Sequence, residues 1–236
     1  MKKEHIKFIR KIGFILVLII FAVIIYLLFP IMKGLATEEG RIIAKEKLSS
    51  FGIFGALIII ILEALKVFVV VLPGEPIELL AGMCFGPFLG VLVVYIGIIF
   101  STFIISKLVK KFGISFVKEI VPKEKFDKVE NIINTYPKRV ETILFILYFL
   151  PVIPKDFLTY IGSLLPITTK KFLLISIFAR FPAVMSSTIV GSEILDGDIK
   201  TIVIVYGITY SISAIIMLIY KFIMNKNNKR DALDKT

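Results

Sequence analysis

The sequence predicts an all-α protein that crosses a membrane several times. Of its 236 residues 57% are hydrophobic, and the mean hydropathy is +0.92. A soluble domain of this size has no core large enough to bury so much apolar surface. A spanning helix takes about 20 apolar residues, so we expect about four full transmembrane helices. Two further apolar segments are broken by proline, glycine and charge, and we expect these to form two opposed re-entrant helical hairpins.

The rarest residues exclude several classes of function. Cys84 is the single cysteine, so neither an internal disulfide nor a cysteine-based zinc site is expected. The single histidine, His5, belongs to the basic N-terminal tail, which excludes a Ser-His-Asp triad within the membrane. We therefore expect no metal, no cofactor and no enzymatic activity.

The positive charge indicates orientation in a membrane. The net charge is +11, but the basic residues lie in tails and loops between apolar runs. We therefore expect no nucleic-acid partner. The basic segments are the two termini and residues 107–139, so we expect both termini in the cytoplasm of a cell-membrane protein. Residues 191–198 carry acids and no lysine or arginine, which favours the outer side.

The expected spans divide the chain into three regions. Region 1–50 holds the first span and an outer loop, and we favour an uncleaved span there over a signal peptide. Region 51–195 is the core with both broken segments, and region 196–236 holds the last span and a basic tail. The full spans are expected at 12–30, 91–108, 172–190 and 201–223.

The two broken segments, 51–90 and 140–168, share a pattern. Each contains the sequence Pro-x-x-Pro-x-acid and then a glycine, and the two copies are 78 residues apart. Charge places them on opposite sides, as in an inverted-topology repeat whose broken helices meet near the bilayer midplane. Whether 51–72 spans the membrane fully or re-enters is left open. The matched residues are Pro73, Pro76, Glu78 and Gly82 in the first copy and Pro151, Pro154, Asp156 and Gly162 in the second.

Residues 108–139 link the two copies. Charged residues alternate there with apolar residues at roughly helical spacing, among them Phe126, Val129 and Ile133. This pattern predicts amphipathic cytoplasmic helices that lie on the membrane surface or form a solvated loop.

Charged residues at membrane depth are the candidate site, because a charge in hydrocarbon costs at least about 2.5–3.5 kcal/mol and so faces a partner or a cavity. We expect the cations to bind a lipid phosphate and the carboxylates to carry protons. The structural alternatives are an internal Glu63–Lys66 ion pair and a Lys155 side chain that reaches the interface. The candidates are the cations Lys66, Lys155 and Arg180 and the carboxylates Glu63, Glu75, Glu78 and Asp156.

Prolines and glycines are expected to have structural roles. Pro73, Pro76, Pro151, Pro154 and Pro182 end or bend helices. Gly82, Gly162 and Gly191 allow helices to approach closely.

Three stretches resemble the DedA superfamily, the VTT-domain membrane proteins, and most closely its bacterial SNARE-associated Golgi protein branch. They are PGEPIELLAGMCFGPFLG at 73–90, PVIPKDFLTYIGSLLP at 151–166 and ARFPAVMSSTIVGSEI at 179–194. The resemblance covers roughly residues 50–195. Many members carry an arginine shortly before the second Pro-x-x-Pro, where this chain has LYFLP around Tyr148.

The resemblance implies two facing re-entrant hairpins and lipid translocation. Relatives are linked to undecaprenyl phosphate or phospholipid movement, to scrambling, and to proton-dependent membrane homeostasis. We therefore expect a flippase or scramblase whose partners are membrane lipids. The alternatives are a non-catalytic scaffold or homeostasis protein and a proton or ion antiporter, and the oligomeric state, a homo-oligomer included, is left open.

Overall fold

The computed structural model describes residues 37–69, 74–135, 139–149, 154–194 and 197–233. Within these ranges all regular structure is helical, as the sequence predicts. The expected first span and the prolines Pro73 and Pro151 lie outside the described residues. The helices are α1 (Glu38–Ser50), α2 (Ile53–Lys66, followed by a 3₁₀ turn at Val67–Val69), α3 (Glu75–Phe112), α4 (Ile114–Ile120), α5 (Lys123–Thr135), α6 (Val140–Phe149), α7 (Lys155–Leu164), α8 (Thr169–Glu193) and α9 (Ile199–Leu233).

Three of these helices are long and apolar enough to cross a membrane. They are α3, α8 and the Ile199–Leu218 part of α9. Helices α1 and α2 meet at an angle of 115° and together make a fourth candidate if the bent pair counts as one span. The spans expected at 91–108, 172–190 and 201–223 fall within α3, α8 and α9, so the multi-pass helical class is confirmed.

Helix α3 has a sharp kink at Gly86. The φ angle there is +74° and Pro87 follows, so the helical path is interrupted. A Cβ placed on Gly90 would lie 2.9 Å from the carbonyl oxygen of Ala81. In a straight helix residues nine apart are about 13 Å apart along the axis, so residues 75–85 and 87–112 lie side by side.

The order of elements repeats around the two broken segments. In the first, α2 is followed by residues 75–85 and, after Gly86, by the long helical arm 87–112. In the second, α6 is followed by α7 and, after residues 165–168, by the long helix α8. This order matches the repeat seen in the sequence, and the opposite orientation of the two units in a membrane stays a prediction.

Two glycines bring the first unit against the second. A Cβ on Gly82 would overlap the backbone of Thr188, and a Cβ on Gly191 would overlap the backbone of Leu79. Residues 75–85 therefore run antiparallel to the end of α8 with their backbones in close approach, as expected for Gly82 and Gly191. Gly162 is confined by a side chain, since a Cβ there would lie 2.5 Å from the Phe172 ring.

Two segments form structure beyond what the sequence predicts. The segment interpreted as part of an outer loop forms helix α1, whose N-cap residue Thr37 accepts a hydrogen bond from the Gly40 amide. The amphipathic linker is helical, but Phe126, Val129 and Ile133 are buried in a core cluster with Leu144 and Leu158. Tertiary packing therefore covers the apolar face, for which the sequence left a membrane surface and a solvated loop open.

Candidate functional site

Six charged side chains from four helices converge where the helices of the two broken segments meet α8. Five of them are buried and Lys155 is half-buried. This group is called the charged cluster below. Helices α2, α3, α7 and α8 contribute Glu63, Lys66, Glu78, Lys155, Asp156 and Arg180.

The first half of the cluster surrounds Lys66. Its Nζ atom lies 2.6 Å from Glu63 Oε1, one helical turn away, and 3.7 Å from Glu78 Oε1 on the next helix. Gly74 makes room for this ammonium group, because a Cβ at that position would overlap Lys66 Nζ. The internal Glu63–Lys66 ion pair considered from the sequence is therefore present, and it extends to Glu78.

The second half surrounds Arg180. Its Nη2 donates to the Lys155 carbonyl oxygen at 2.9 Å and to Thr159 Oγ1 at 2.7 Å, while Nη1 lies 3.5 Å from Asp156 Oδ1. The guanidinium carbon is 5.0 Å from the centre of the Tyr148 ring. The Tyr148 ring therefore packs against this guanidinium in a cation–π contact.

The two halves are in contact. Tyr160 on α7 donates a hydrogen bond to the carbonyl oxygen of Val67, which directly follows Lys66, at 3.2 Å. Charge–charge interactions connect Glu78 with both Lys155 and Arg180. Residues next to both breaks therefore form one polar centre inside an apolar bundle.

The cluster is neutral as a whole, but its halves are not. Glu63, Lys66 and Glu78 sum to −1, whereas Lys155, Asp156 and Arg180 sum to +1 when every group is ionised. Such opposite charges attract across the interface between the units. The positive half is thus the part suited to an anion.

Several polar atoms of the cluster lack a hydrogen-bond partner in the described part of the chain. These buried atoms include Glu63 Oε2, Asp156 Oδ1 and Arg180 Nε. An unpartnered buried polar group costs about 1–3 kcal/mol, and more when charged. The site is therefore equipped to accept further protons, water or an anionic group.

Glu75 is separate from the cluster. Its Oε1 atom accepts a hydrogen bond at 2.7 Å from the hydroxyl of Tyr206 on α9, and its side chain is exposed. Among the predicted prolines, Pro76 lies in the first turn of α3, Pro154 caps α7 and Pro182 lies inside α8.

Sequence reasoning missed Thr159 as part of the site. It follows Lys155 by one helical turn on the same helix, and this spacing was the available signal. Ser187, which interacts with Glu78, had no such signal because hydroxyl residues are frequent in α8.

Together the apolar helices and the buried polar centre define a multi-pass α-helical membrane protein. A family model, that of the VTT domain, matches residues 72–193, which is more than half of the chain. The chain therefore belongs to the VTT-domain family, the DedA/SNARE-associated Golgi proteins. This membership confirms the resemblance seen in the sequence and points to a role in transport or membrane homeostasis.

The matched region includes Glu78, Lys155, Asp156 and Arg180, whereas Glu63 and Lys66 precede it. No curated protein and no solved structure matched the chain significantly.

Proposed function

We propose that this protein moves an anionic lipid, such as undecaprenyl phosphate or a phospholipid, across a cell membrane, and that the charged cluster binds the headgroup. The observation that carries the proposal is a set of buried ion pairs inside the bundle. Lys66 pairs with Glu63 and Glu78 at the first broken segment, and Arg180 of α8 pairs with Asp156 of the second. Buried ionisable groups of this kind in membrane proteins line substrate or ion pathways. Broken helices that meet at such a site are typical of transporters.

The positive half is the proposed phosphate site. Lys155 forms no direct ion pair among the described residues, so its ammonium group keeps its donors for an anion. Arg180 keeps one unpartnered donor, Nε, and its planar fork suits phosphate oxygens. The first turn of α7 lies beside both cations, and the positive end of a helix dipole favours an anion there.

Proton binding by a carboxylate would keep the site neutral. A phosphate adds negative charge to a cluster that sums to zero, and uncompensated buried charge is costly. Protonation of one carboxylate, for example Glu63 with its unpartnered oxygen, restores the balance. We therefore propose that lipid movement depends on protons.

A second candidate is a scaffold or homeostasis role without transport, which would act through the exposed face of the linker helices α4 and α5. A proton or ion antiporter is the third, and it would use the carboxylates alone. The buried cations favour transport of an anionic substrate over the scaffold role and over the antiporter. We propose no enzymatic activity.

The test uses purified protein in proteoliposomes. Loss of undecaprenyl phosphate and of a fluorescent phospholipid from the outer leaflet is followed with and without a pH gradient. The variants are Asp156→Asn, in the cluster, and Glu141→Gln, which neutralises an exposed carboxylate paired with Lys171 at 2.6 Å. We expect the wild-type protein to move lipid, Asp156→Asn to abolish this flux, and Glu141→Gln to preserve it.

The outcomes separate the candidate functions. Movement of undecaprenyl phosphate alone indicates a selective carrier, and movement of both lipids without a gradient indicates a scramblase. Folded wild-type protein that moves neither lipid overturns the proposal. A proton flux without lipid movement would then favour the antiporter, and loss of function on altering the linker would favour the scaffold.

A further inference from the structure

Buried hydroxyl groups extend from the charged cluster through the bundle on three helices. On each helix the polar residues are four apart and so share one face. Ser176 precedes Arg180 by one turn on α8, and the other pairs are Thr102 with Ser106 on α3 and Thr159 with Ser163 on α7. All five hydroxyl residues are buried. This group is called the hydroxyl track below.

Hydrogen bonds connect part of the hydroxyl track, from Arg180 to Ser106, and one of them runs through the backbone carbonyl of Thr159. Thr159 Oγ1 accepts from Arg180 at 2.7 Å, and Ser163 donates to the Thr159 carbonyl oxygen at 2.7 Å. The hydroxyls of Ser163 and Ser106 then lie 3.0 Å apart. One turn beyond Ser106, the exposed Lys110 side chain donates to Thr169 Oγ1 at 2.5 Å, at the start of α8. The track therefore leads from Arg180 toward the basic end of the bundle.

Thr102 and Ser176 are the unexplained members. Each hydroxyl is buried and has no hydrogen-bond partner in the described part of the chain. Two hydrogen bonds join α3 to α8 on either side of these residues: Tyr95 to the Ile177 carbonyl, and Lys110 to Thr169. Thr102 and Ser176 therefore lie on the same stretch of the antiparallel α3–α8 contact. Valine or alanine would fill these positions without a polar group to satisfy.

Water is the partner that fits such sites. A buried hydroxyl without a hydrogen bond costs about 1–3 kcal/mol, and internal water commonly satisfies buried polar groups in proteins. Hydroxyls that alternate with water on one continuous face can pass protons along hydrogen bonds. A lipid headgroup does not suit this place, because the track contains no cation between Arg180 and Lys107 or Lys110 among the described residues.

We infer that Thr102 and Ser176 bind internal water, which completes a proton path along the hydroxyl track between the charged cluster and the basic end of the bundle. Under the positive-inside rule that end faces the cytoplasm. The use of the path for proton-dependent lipid movement rests on the proposed function. The presence of water does not rest on it.

The path is tested by cysteine accessibility to Ag⁺, an ion close to water in size. Cys84 is the only native cysteine, so Cys84→Ser gives a background for single Ser176→Cys and Thr102→Cys variants. Ala179→Cys is the matched control, since Ala179 is equally buried on α8 but belongs to the apolar core cluster. Each folded variant is exposed to Ag⁺, then denatured and labelled with a maleimide.

We expect Ag⁺ to block later labelling of Ser176→Cys and Thr102→Cys at least about fivefold more than labelling of Ala179→Cys. Equal labelling of all three overturns the water path. This readout needs no lipid flux, so it decides the inference even if wild-type protein moves no lipid, a result that overturns only the proposed function.

A transport measurement tests the use of the path. The double variant Thr102→Val/Ser176→Ala is expected to lower the lipid flux driven by a pH gradient at least about fivefold. An unchanged response to the gradient would overturn the coupling of the path to transport.

Discussion

Lys66 and Glu78 face each other across the first break in the chain, with Lys66 Nζ 3.7 Å from Glu78 Oε1. Lys66 also lies 2.6 Å from Glu63, so a single ammonium group serves two buried carboxylates. Removal of Lys66 would leave both carboxylates in an apolar interior. The arrangement therefore makes stability depend on this charge balance.

We expect Lys66→Met to destabilise the protein by about 3–5 kcal/mol, the usual cost of removing one partner of a buried ion pair. The double variant Glu63→Gln/Lys66→Met returns the cluster to zero net charge and should recover most of that loss. Thermal denaturation in detergent measures both. A single variant as stable as the wild type would show that the pair is not buried as described.

Arg180 should not tolerate replacement by lysine. Arg180→Lys keeps the charge but loses the planar fork that bonds the Lys155 carbonyl and Thr159 together. We expect lipid flux to fall at least about tenfold with little change in the amount of folded protein. Arg139→Lys, at an exposed position, is the control and should keep the wild-type rate. Wild-type flux in Arg180→Lys would remove Arg180 from the proposed headgroup site.

The close approach of residues 75–85 to α8 predicts a glycine requirement. Gly82→Ala would force a Cβ into the Thr188 backbone, and such overpacking typically costs about 1–3 kcal/mol. Gly207→Ala is the matched control on α9, because no atom lies within 4 Å of its added Cβ. We expect a lower denaturation temperature for the first variant and an equal or higher one for the second. Equal temperatures in Gly82→Ala and the wild type would contradict the backbone contact.

The start of α9 is expected to weaken in acid. Hydrogen bonds from the hydroxyl and the amide of Thr201 hold the pKa of Asp198 below its ordinary value of 3.8. A lowered pKa in the folded state means that the stabilisation is complete above the ordinary value and is lost as the pH falls through the lowered one.

Asp198→Asn keeps an N-cap side chain but does not titrate. The difference in denaturation temperature between wild type and Asp198→Asn should therefore shrink or reverse as the pH falls from 5 to below about 3.8. A difference that stays constant over this range would rule out the Asp198–Thr201 contribution.

The sequence identified the charged residues of the site, but it did not show which of them contact one another. Glu63, Lys66, Glu78, Lys155, Asp156 and Arg180 stand out because charges are rare in apolar segments. Glu75 met the same criterion, yet it contacts Tyr206 on α9 instead of the cluster. Sequence spacing cannot distinguish two carboxylates three residues apart when the fold of a distant helix decides which of them is enclosed.

The fold shows the same division between local and distant causes. Apolar runs and helix breakers act over one or two turns, so the helical class, the broken segments and the later spans could be predicted. The apolar face of the linker depends on which surface covers it. Burial in a membrane and burial against α6 and α7 both favour apolar residues through the hydrophobic effect. The pattern therefore predicted that the linker has an apolar face, but not that α6 and α7 cover it.

By itself the sequence determined a helical membrane protein with two proline-broken segments and a small set of charges within them, because hydropathy and backbone restrictions are local properties of the chain. Only the tertiary structure decided that these charges form one neutral cluster with a negative and a positive half, that Arg180 is held by Lys155 and Thr159, and that hydroxyls from three helices align beside it. Those contacts join residues far apart in sequence, and their geometry depends on how the helices pack.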